Sequence, residues 1–346
     1  MSPTPRLTVI GEALIDLVPE DPAVTEDPAG NRGGAPGRYE ARPGGSPFNV
    51  AVGLARLGHR VTLLARLADN AFGRLLRDRG EAEAIDLSRA PKADEPTTLA
   101  VVSLDREARA TYDFYAEGTA DWQWSSAEID RIPEDTAVFH LGSIASWTPP
   151  GADRIHEAAA RLHASGQTLV SYDPNIRPAL LGDPAAARTR TERSVSVSHL
   201  VKASREDAEW LYPGASVNDA ARRWLDLGAL LVVITDGRRG AYLYGPGHDT
   251  PLRRPGRRVR VADTVGAGDA FTAGLLGGLT RRGLHTPEAL ETTPSGTLAE
   301  AADEAIQVSA LTCERPGADP PSLLSAASAG DWNVTPPRYG WRHGSD

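Results

Sequence analysis

Asp263-Thr264-Val265-Gly266-Ala267-Gly268-Asp269-Ala270-Phe271 decides how this chain is read. Two glycine-bearing steps lead into a carboxylate, and Phe271, Leu275 and Leu279 then recur at helical spacing, so a helix runs over 270–279. Upstream, residues 258–262 read as a short strand. A strand, a glycine turn and a helix N-terminus together form an anion site. Amide N–H groups there lack partners, the helix dipole favours negative charge, and glycine lets an oxyanion come close. A carboxylate would repel bound phosphate at such a place unless it served chemistry. Asp269 fits as a general base: it takes a proton from a hydroxyl that attacks phosphorus, while the helix terminus neutralises charge on the transferred group. The chemistry implied is phosphoryl transfer to an alcohol. The competing reading makes Gly266, Ala267 and Gly268 a plain tight turn and Asp269 an ordinary first-turn carboxylate.

A second glycine signal, Gly44-Gly45-Ser46-Pro47-Phe48-Asn49-Val50, opens a helix that ends at Gly58. Ser46 suits the N-cap, Pro47 the first helical position and Gly58 the C′ position. Phe48, Val50, Val52, Leu54, Ala55 and Leu57 give it a wide apolar face. Asn49 is the polar exception, placed either to offer an amide to a ligand hydroxyl or to satisfy a neighbouring loop.

Around these signals, apolar β-rich runs alternate with helical patterns. Residues 6–10, 61–67, 137–144, 168–172, 200–202 and 231–235 read as buried strands; 71–79, 152–164, 185–194 and 217–227 read as helices. That alternation predicts a mostly parallel sheet covered on both faces, with ligands beyond the carboxyl ends of its strands. Asp16, Asp173, Thr235 and Asp269 all follow strands in this reading, which fits one shared cleft. Residues 97–111 break the alternation with β-type side chains, and 19–43, rich in Pro and Gly, read as a long loop. Residues 285–296 and 330–346 read as surface excursions.

Composition fits a soluble cytoplasmic protein. The 346 residues are 40% hydrophobic, with no run long enough to span a membrane and no basic-then-apolar leader. The formal charge of −9 argues against nucleic acid as a partner. A lone cysteine, Cys313, excludes an intrachain disulfide and reads as a small buried residue. Lysines occur only at 92 and 202, and no Gly-Lys-Ser/Thr phosphate loop is present, so phosphate binding must rest on backbone donors and arginine.

Six motifs, in order, resemble the PfkB-type sugar kinases of the ribokinase-like superfamily. They are Gly11-Glu12-Ala13-Leu14-Ile15-Asp16, the 44–58 helix, Asp173-Pro174-Asn175-Ile176-Arg177, Thr235-Asp236-Gly237-Arg238-Arg239-Gly240, the 263–269 turn and Ala310 to Ala318. The pattern is most similar to fructokinases and their 2-keto-3-deoxygluconate kinase relatives. The resemblance implies one ribokinase-like domain over 1–346: a three-layer α/β sandwich with a small β lid from about 12–43 and 95–118, whose underside would carry Tyr112, Phe114 and Tyr115. It implies ATP and Mg²⁺, with fructose the first-choice acceptor and 2-keto-3-deoxygluconate, ribose or a nucleoside as alternatives. A non-catalytic sugar or nucleotide sensor on the same fold is the reading from another class. Lid-mediated homodimers are frequent among such relatives.

By the same resemblance Asp269 is the base, and Gly266, Ala267 and Gly268 form the anion hole. Asp16, Gly44, Gly45 and Asn49 meet sugar hydroxyls. Arg177 contacts acceptor or phosphate, or else makes a structural salt bridge. Thr235, Gly237 and Gly240 form the nucleotide-phosphate loop. Where the family often shows Asn-x-x-Glu, Ser204 and Asp207 keep an oxygen and a carboxylate at that spacing, for nucleotide and for Mg²⁺ through water. Asp263 and Thr264 match the region that holds a monovalent cation such as K⁺ in many relatives. Ile306-Gln307 replaces an Asn-Ala pair near the adenine. The 19–43 loop, which carries Arg32, Arg38 and Arg42, is expected to shape acceptor choice or lid closure.

Overall fold

The strands Arg6–Ile10, Arg60–Leu64, Thr136–Gly142, Leu169–Asp173, Leu200–Ser204 and Leu231–Thr235 run parallel, and antiparallel Ala241–Tyr244 and Leu252–Arg254 extend one edge. The computed structural model describes residues 4–20, 37–104, 110–245 and 250–328. Across this eight-stranded sheet the order is 252–254, 241–244, 231–235, 200–204, 169–173, 136–142, 6–10, 60–64. Successive strand residues go to opposite faces, so neighbours feed different cores. Leu169, Leu200, Leu231 and Val233 join the layer under helices Ser46–Arg56 and Ala267–Arg281. Val170, Val201, Val232 and Ile234 join the opposite layer, with Trp224 of helix Val217–Asp226 and Ala158 of helix Gly151–Ser165. Two-sided burial explains why these strands read as continuous apolar runs.

A second sheet has the order Tyr39–Gly44, Leu14–Pro19, Leu99–Leu104, Ala110–Tyr115. Its central pair is parallel and its outer pairs antiparallel. Residues 39–43, expected as loop, are therefore strand. Pairing of Asp16 with Arg42 and of Leu14 with Gly44 overrides a composition poor in β-formers. The rest of that loop, 21–36 with Arg32, and the 330–346 tail lie outside the described residues. Tyr112 and Phe114 stack at 6.1 Å on one face of the sheet. Tyr115, one residue on, is 64% exposed and does not belong to that underside.

Further expectations need correction. Residues 258–262 form no strand: after Pro255-Gly256 the chain leaves the sheet edge, and an alternating pattern with no strand beside it stays irregular, with Val261 54% exposed. The run 61–67 breaks at Leu64, and Leu67–Ala68 pairs separately with Lys92–Ala93. Asp16 lies within a strand of the second sheet, and Asp269 follows no strand. Residues 285–296 contain the helix Pro287–Glu291, pinned by buried Leu290, and Cys313 is half-buried at the end of helix Ser295–Cys313.

Small residues let the helix that carries Asp269 sit close to its neighbours. A Cβ on Gly53 would stand 2.7 Å from Ala273 Cβ, and one on Gly274 would stand 2.8 Å from Ala305 Cα. Gly296, near the start of Ser295–Cys313, faces open space. The same substitution should thus act with opposite signs. Gly296→Ala is expected to stabilise by up to about 1 kcal/mol through helix propensity. Gly274→Ala is expected to destabilise by about 1–3 kcal/mol because backbone must move apart. Urea unfolding of both variants checks this.

Candidate active site

Gly266 adopts a left-handed conformation (φ +73°) as N-cap of Ala267–Arg281, and any Cβ there would stand 2.5 Å from Ala318 Cβ. Ala267 N–H is taken by Thr264 O at 3.3 Å. Gly268 and Asp269 follow in the first turn, where amides have no intrahelical acceptor. Gly268 is exposed and Asp269 half-buried, so the helix entrance opens to solvent. Ser46 Oγ donates to Asp269 Oδ1 at 2.7 Å and Asn49 Nδ2 to Oδ2 at 2.9 Å. Ser46 is not the N-cap that its residue type announces: Gly45 (φ +99°) takes that place without a side-chain cap, and the freed hydroxyl goes to Asp269.

Beneath the turn lies an ion pair that sequence reasoning left unassigned. Buried Lys202 Nζ is 2.8 Å from buried Asp173 Oδ2, which also lies 3.2 Å from Thr272 Oγ1. A Cβ on Gly268 would be 3.3 Å from that ammonium. Burial pulls the Lys202 pKa down, but Asp173 first, with Asp207 and Asp269, outweighs it and holds the group above its ordinary value. For Asp269 burial raises the pKa, opposed by the Ser46 and Asn49 hydrogen bonds and the Lys202 charge, with Asp173 adding to the rise; the net direction is up. A lysine inside an apolar strand, Leu200-Val201-Lys202-Ala203, was the available signal, because such a charge must be paired.

Asp16 faces this base from the second sheet. Gly44, on the adjacent strand opposite Leu14, leaves the space: a Cβ there would meet Asp16 Oδ2 at 2.1 Å. Burial and the neighbouring Asp269 charge push the Asp16 carboxyl up to about 6, with Arg177 opposing. Arg177 Nη1 donates to Asn175 Oδ1 at 2.8 Å and Ile176 O at 3.0 Å. It makes no side-chain salt bridge among the described residues, and its charge bears on Glu12, Asp16 and Tyr112. Asn175 (φ +40°) and Ser143 (φ +54°) are both left-handed and bond each other at 3.3 Å, a strained corner of the kind that marks functional sites.

On the other flank, parallel register sets Ser204 beside Thr235 at the carboxyl ends of their strands. Gly237 (φ +47°) starts a single 3₁₀ turn, with open space where a side chain would be. Gly240 (φ +97°) is needed for packing, since a Cβ would meet Arg254 O at 2.1 Å. Asp207 accepts from Ile176 N, Ser204 N and Ser204 Oγ at 2.7–2.9 Å, closing a capping box on helix Arg205–Leu211. Asp263 Oδ1 accepts from Thr264 N and Val265 N, and Oδ2 accepts from Gly317 N. Gln307 is buried and donates to Ala326 O. Asp269, Asn49, Asp16, Gly44 and Arg177 thus come together, while Ser204, Thr235 and Gly237 form a neighbouring group; Lys202, Thr272 and Ser143 are the residues missed, and Asp173, expected in the cleft, is the partner of Lys202.

Residues 4–324 match the family described as pfkB family carbohydrate kinase. A fructokinase of Rhizobium leguminosarum bv. trifolii is 37% identical over 276 residues, 80% of this chain and 80% of that protein. A fructokinase double mutant from Vibrio cholerae O395, in fructose, ADP and potassium ion bound form, superposes with TM-score 0.78 at 26% identity, covering 94% of this chain and 98% of that one. Aminoimidazole riboside kinase from Salmonella enterica, complexed with aminoimidazole riboside and ATP analog, gives TM-score 0.73 at 27% identity, covering 90% and 95%. The chain belongs to the pfkB family of carbohydrate kinases and is a sugar kinase, a phosphotransferase with an alcohol as acceptor.

Proposed function

We propose that this enzyme transfers the γ-phosphoryl group of ATP to a primary hydroxyl of fructose, with Asp269 as general base. The observation that carries the reading is a half-buried carboxylate in the first turn of a glycine-led helix, held by Ser46 and Asn49 and faced by Asp16. The hydroxyl proton goes to Asp269, the sugar oxygen bonds to the γ-phosphorus, and the bond to the β-γ bridging oxygen breaks with its electron pair leaving on ADP. The Gly266 and Gly268 amides at the turn and the Lys202 ammonium face the charge that spreads over the transferred group, the Ala267 amide being taken by Thr264 O. Asp16, Gly45 and Asn49 orient the sugar beneath the second sheet, which serves as lid. Ser204, Thr235, Gly237 and Gly240 border the nucleotide.

Mg²⁺ would neutralise phosphate charge when bound. Asp207 fits it through water, because the carboxylate oxygens already accept from three protein donors. Asp263 has likewise committed its carboxylate to amides, so a monovalent cation such as K⁺ would rest there on main-chain oxygens of Asp263 and Thr264.

A neutral ketose suits the pocket better than a sugar acid. Arg177 already answers Glu12 and Asp16, and Arg42 is engaged by Glu40 at 2.5 Å, so an added carboxylate would meet Asp16 and Asp269 with little cation to spare. Coupled ADP release over fructose, 2-keto-3-deoxygluconate, ribose and aminoimidazole riboside tests this, with fructose expected to give the highest kcat/KM. Nucleotide binding without ADP release from any sugar would favour the sensor.

Asp269→Asn is expected to lower kcat by about 10²–10⁴, the range of general-base help, while calorimetric binding of fructose and ATP stays near wild type. A variant retaining over half the turnover would overturn the base assignment. A second expectation concerns pH. Because the Asp16 pKa is raised to about 6, the group is charged only above that value and gains a proton as pH falls through it. Fructose KM should therefore rise as pH drops below about 6, and KM for ATP should stay flat. In Asp16→Asn the fructose KM should be high at every pH.

A further inference from the structure

We propose that Ser46 is the fixed positioning residue of the Asp269 carboxylate and that Asn49 is its exchangeable partner, displaced when the sugar hydroxyl arrives. This rests on Asp269 being the base. The two donors come from one helix face, three residues apart, and occupy different oxygens, Oδ1 for Ser46 and Oδ2 for Asn49. A base must present one oxygen to its substrate while the other is held, and the two donors differ in how firmly they are fixed.

Ser46 is 8% exposed and reaches Asp269 across a single rotatable bond. Its backbone is pinned on both sides. Gly45 fits only without a side chain, since a Cβ would meet Glu12 O at 2.7 Å, and the Pro47 ring sits where a Gly11 Cβ would be, 2.4 Å from its Cγ. The hydroxyl has no role in capping its own helix, which Gly45 begins. Asn49 is half-exposed and longer, and its amide can turn toward a sugar oxygen. In the free enzyme that amide donates to the oxygen that the acceptor hydroxyl will use, so one donor replaces another and Oδ2 never stands bare. Ser46 thereby decides which oxygen is the basic one.

The groups facing Asp269 are Asp16 on strand Leu14–Pro19, whose own carboxyl the Asp269 charge raises, and Asp173 and Lys202 on the sheet; Asp173 favours protonation of Asp269 and Lys202 opposes it. Ser46 and Asn49 add to the opposing side. The acid limb of kcat/KM, read in the Asp16→Asn background so that Asp16 does not contribute, reports Asp269 of the free enzyme, and the acid limb of single-turnover transfer at saturating fructose and ATP reports the complex. A fixed donor must influence both, an exchangeable donor only the first.

Ser46→Ala is expected to slow single-turnover transfer about tenfold or more, as for loss of a hydrogen bond to a charged group. Both acid limbs should move up by about one pH unit, with KM for fructose and ATP within about twofold. Ser46→Thr should restore both limbs. Asn49→Ala should raise fructose KM and move the kcat/KM limb, leaving the single-turnover limb in place. Unmoved limbs in a folded Ser46→Ala enzyme would overturn the proposal, and a single-turnover limb that moves in Asn49→Ala would overturn the exchange. If Ser46→Ala does not fold, Ser46→Cys, of similar size with a weak donor, decides by the same limbs. Retained turnover in Asp269→Asn would instead remove the base reading itself, so the two failures are told apart.

Discussion

The structure depends on the close approach of two helix entrances, each opened by a left-handed glycine. Ser46–Arg56 and Ala267–Arg281 begin beside each other, and Ser46 meets Asp269 across 223 residues of sequence. Bulkier residues at Gly53 or Ala273 would part these two helices and disturb that contact, and Gly274 gives the same close approach to Ala305 on Ser295–Cys313. Dispersion between closely packed backbones is small per atom and large in sum, so the glycines give both stability and placement. The price is conformational entropy in the unfolded chain, offset by burial of Phe48, Leu54, Phe271 and Leu275 in the same layer.

Electrostatics then shape what the entrance can do. Lys202 stands among Asp173, Asp207 and Asp269, one ammonium for three carboxylates, with Asp173 and Asp207 buried and Asp269 half-buried at the entrance. Burial raises the Asp207 carboxyl, and Asp173 adds to that rise. A floor so biased toward negative charge would reject phosphate without cations, which is the physical reason for reading the site as one that takes its nucleotide with a metal ion. The pair itself earns little net stability, since desolvation cancels most of its attraction. Its value lies in holding a positive charge under Gly268, where a Cβ would crowd the ammonium at 3.3 Å.

Much of this was legible in the sequence because it obeyed local rules. Two-sided burial wrote the parallel strands as apolar runs, and the glycine turn with its carboxylate stood out beside a 3.6-residue period. What escaped was non-local. Residues 39–43 are strand because Leu14–Pro19 lies alongside, not because Tyr-Glu-Ala-Arg-Pro favours it. The period-2 pattern of 258–262 failed for want of a neighbour. Ser46 has the right type for an N-cap, yet a distant carboxylate claims its hydroxyl and Gly45 takes its place. Lys202 and Asp173 find each other only across adjacent strands, a pairing that no spacing encodes.

The path from the first sheet to the second is fastened by polar groups rather than by packing alone. Strand Arg6–Ile10 passes through residues 11–13 into Leu14–Pro19, and Ala13 N donates to buried Asp121 Oδ1 at 3.0 Å. Next to it, buried Glu12 Oε2 accepts from Ala145 N at 3.1 Å. Burial raises both carboxyls, Asp121 to about 7, with the neighbouring Glu12 charge adding to that rise. Hydrogen bonds of this kind are directional, so they fix the angle at which strand Leu14–Pro19 leaves the first sheet. From there Asp16 reaches the acceptor side, and Arg42, opposite it on the next strand, lies near Gly317, which also binds Asp263. The joint at one end and the approach of Arg42 to Gly317 at the other fix where this strand runs, so backbone placement and not side-chain reach alone brings the Asp16 charge within range of Asp269.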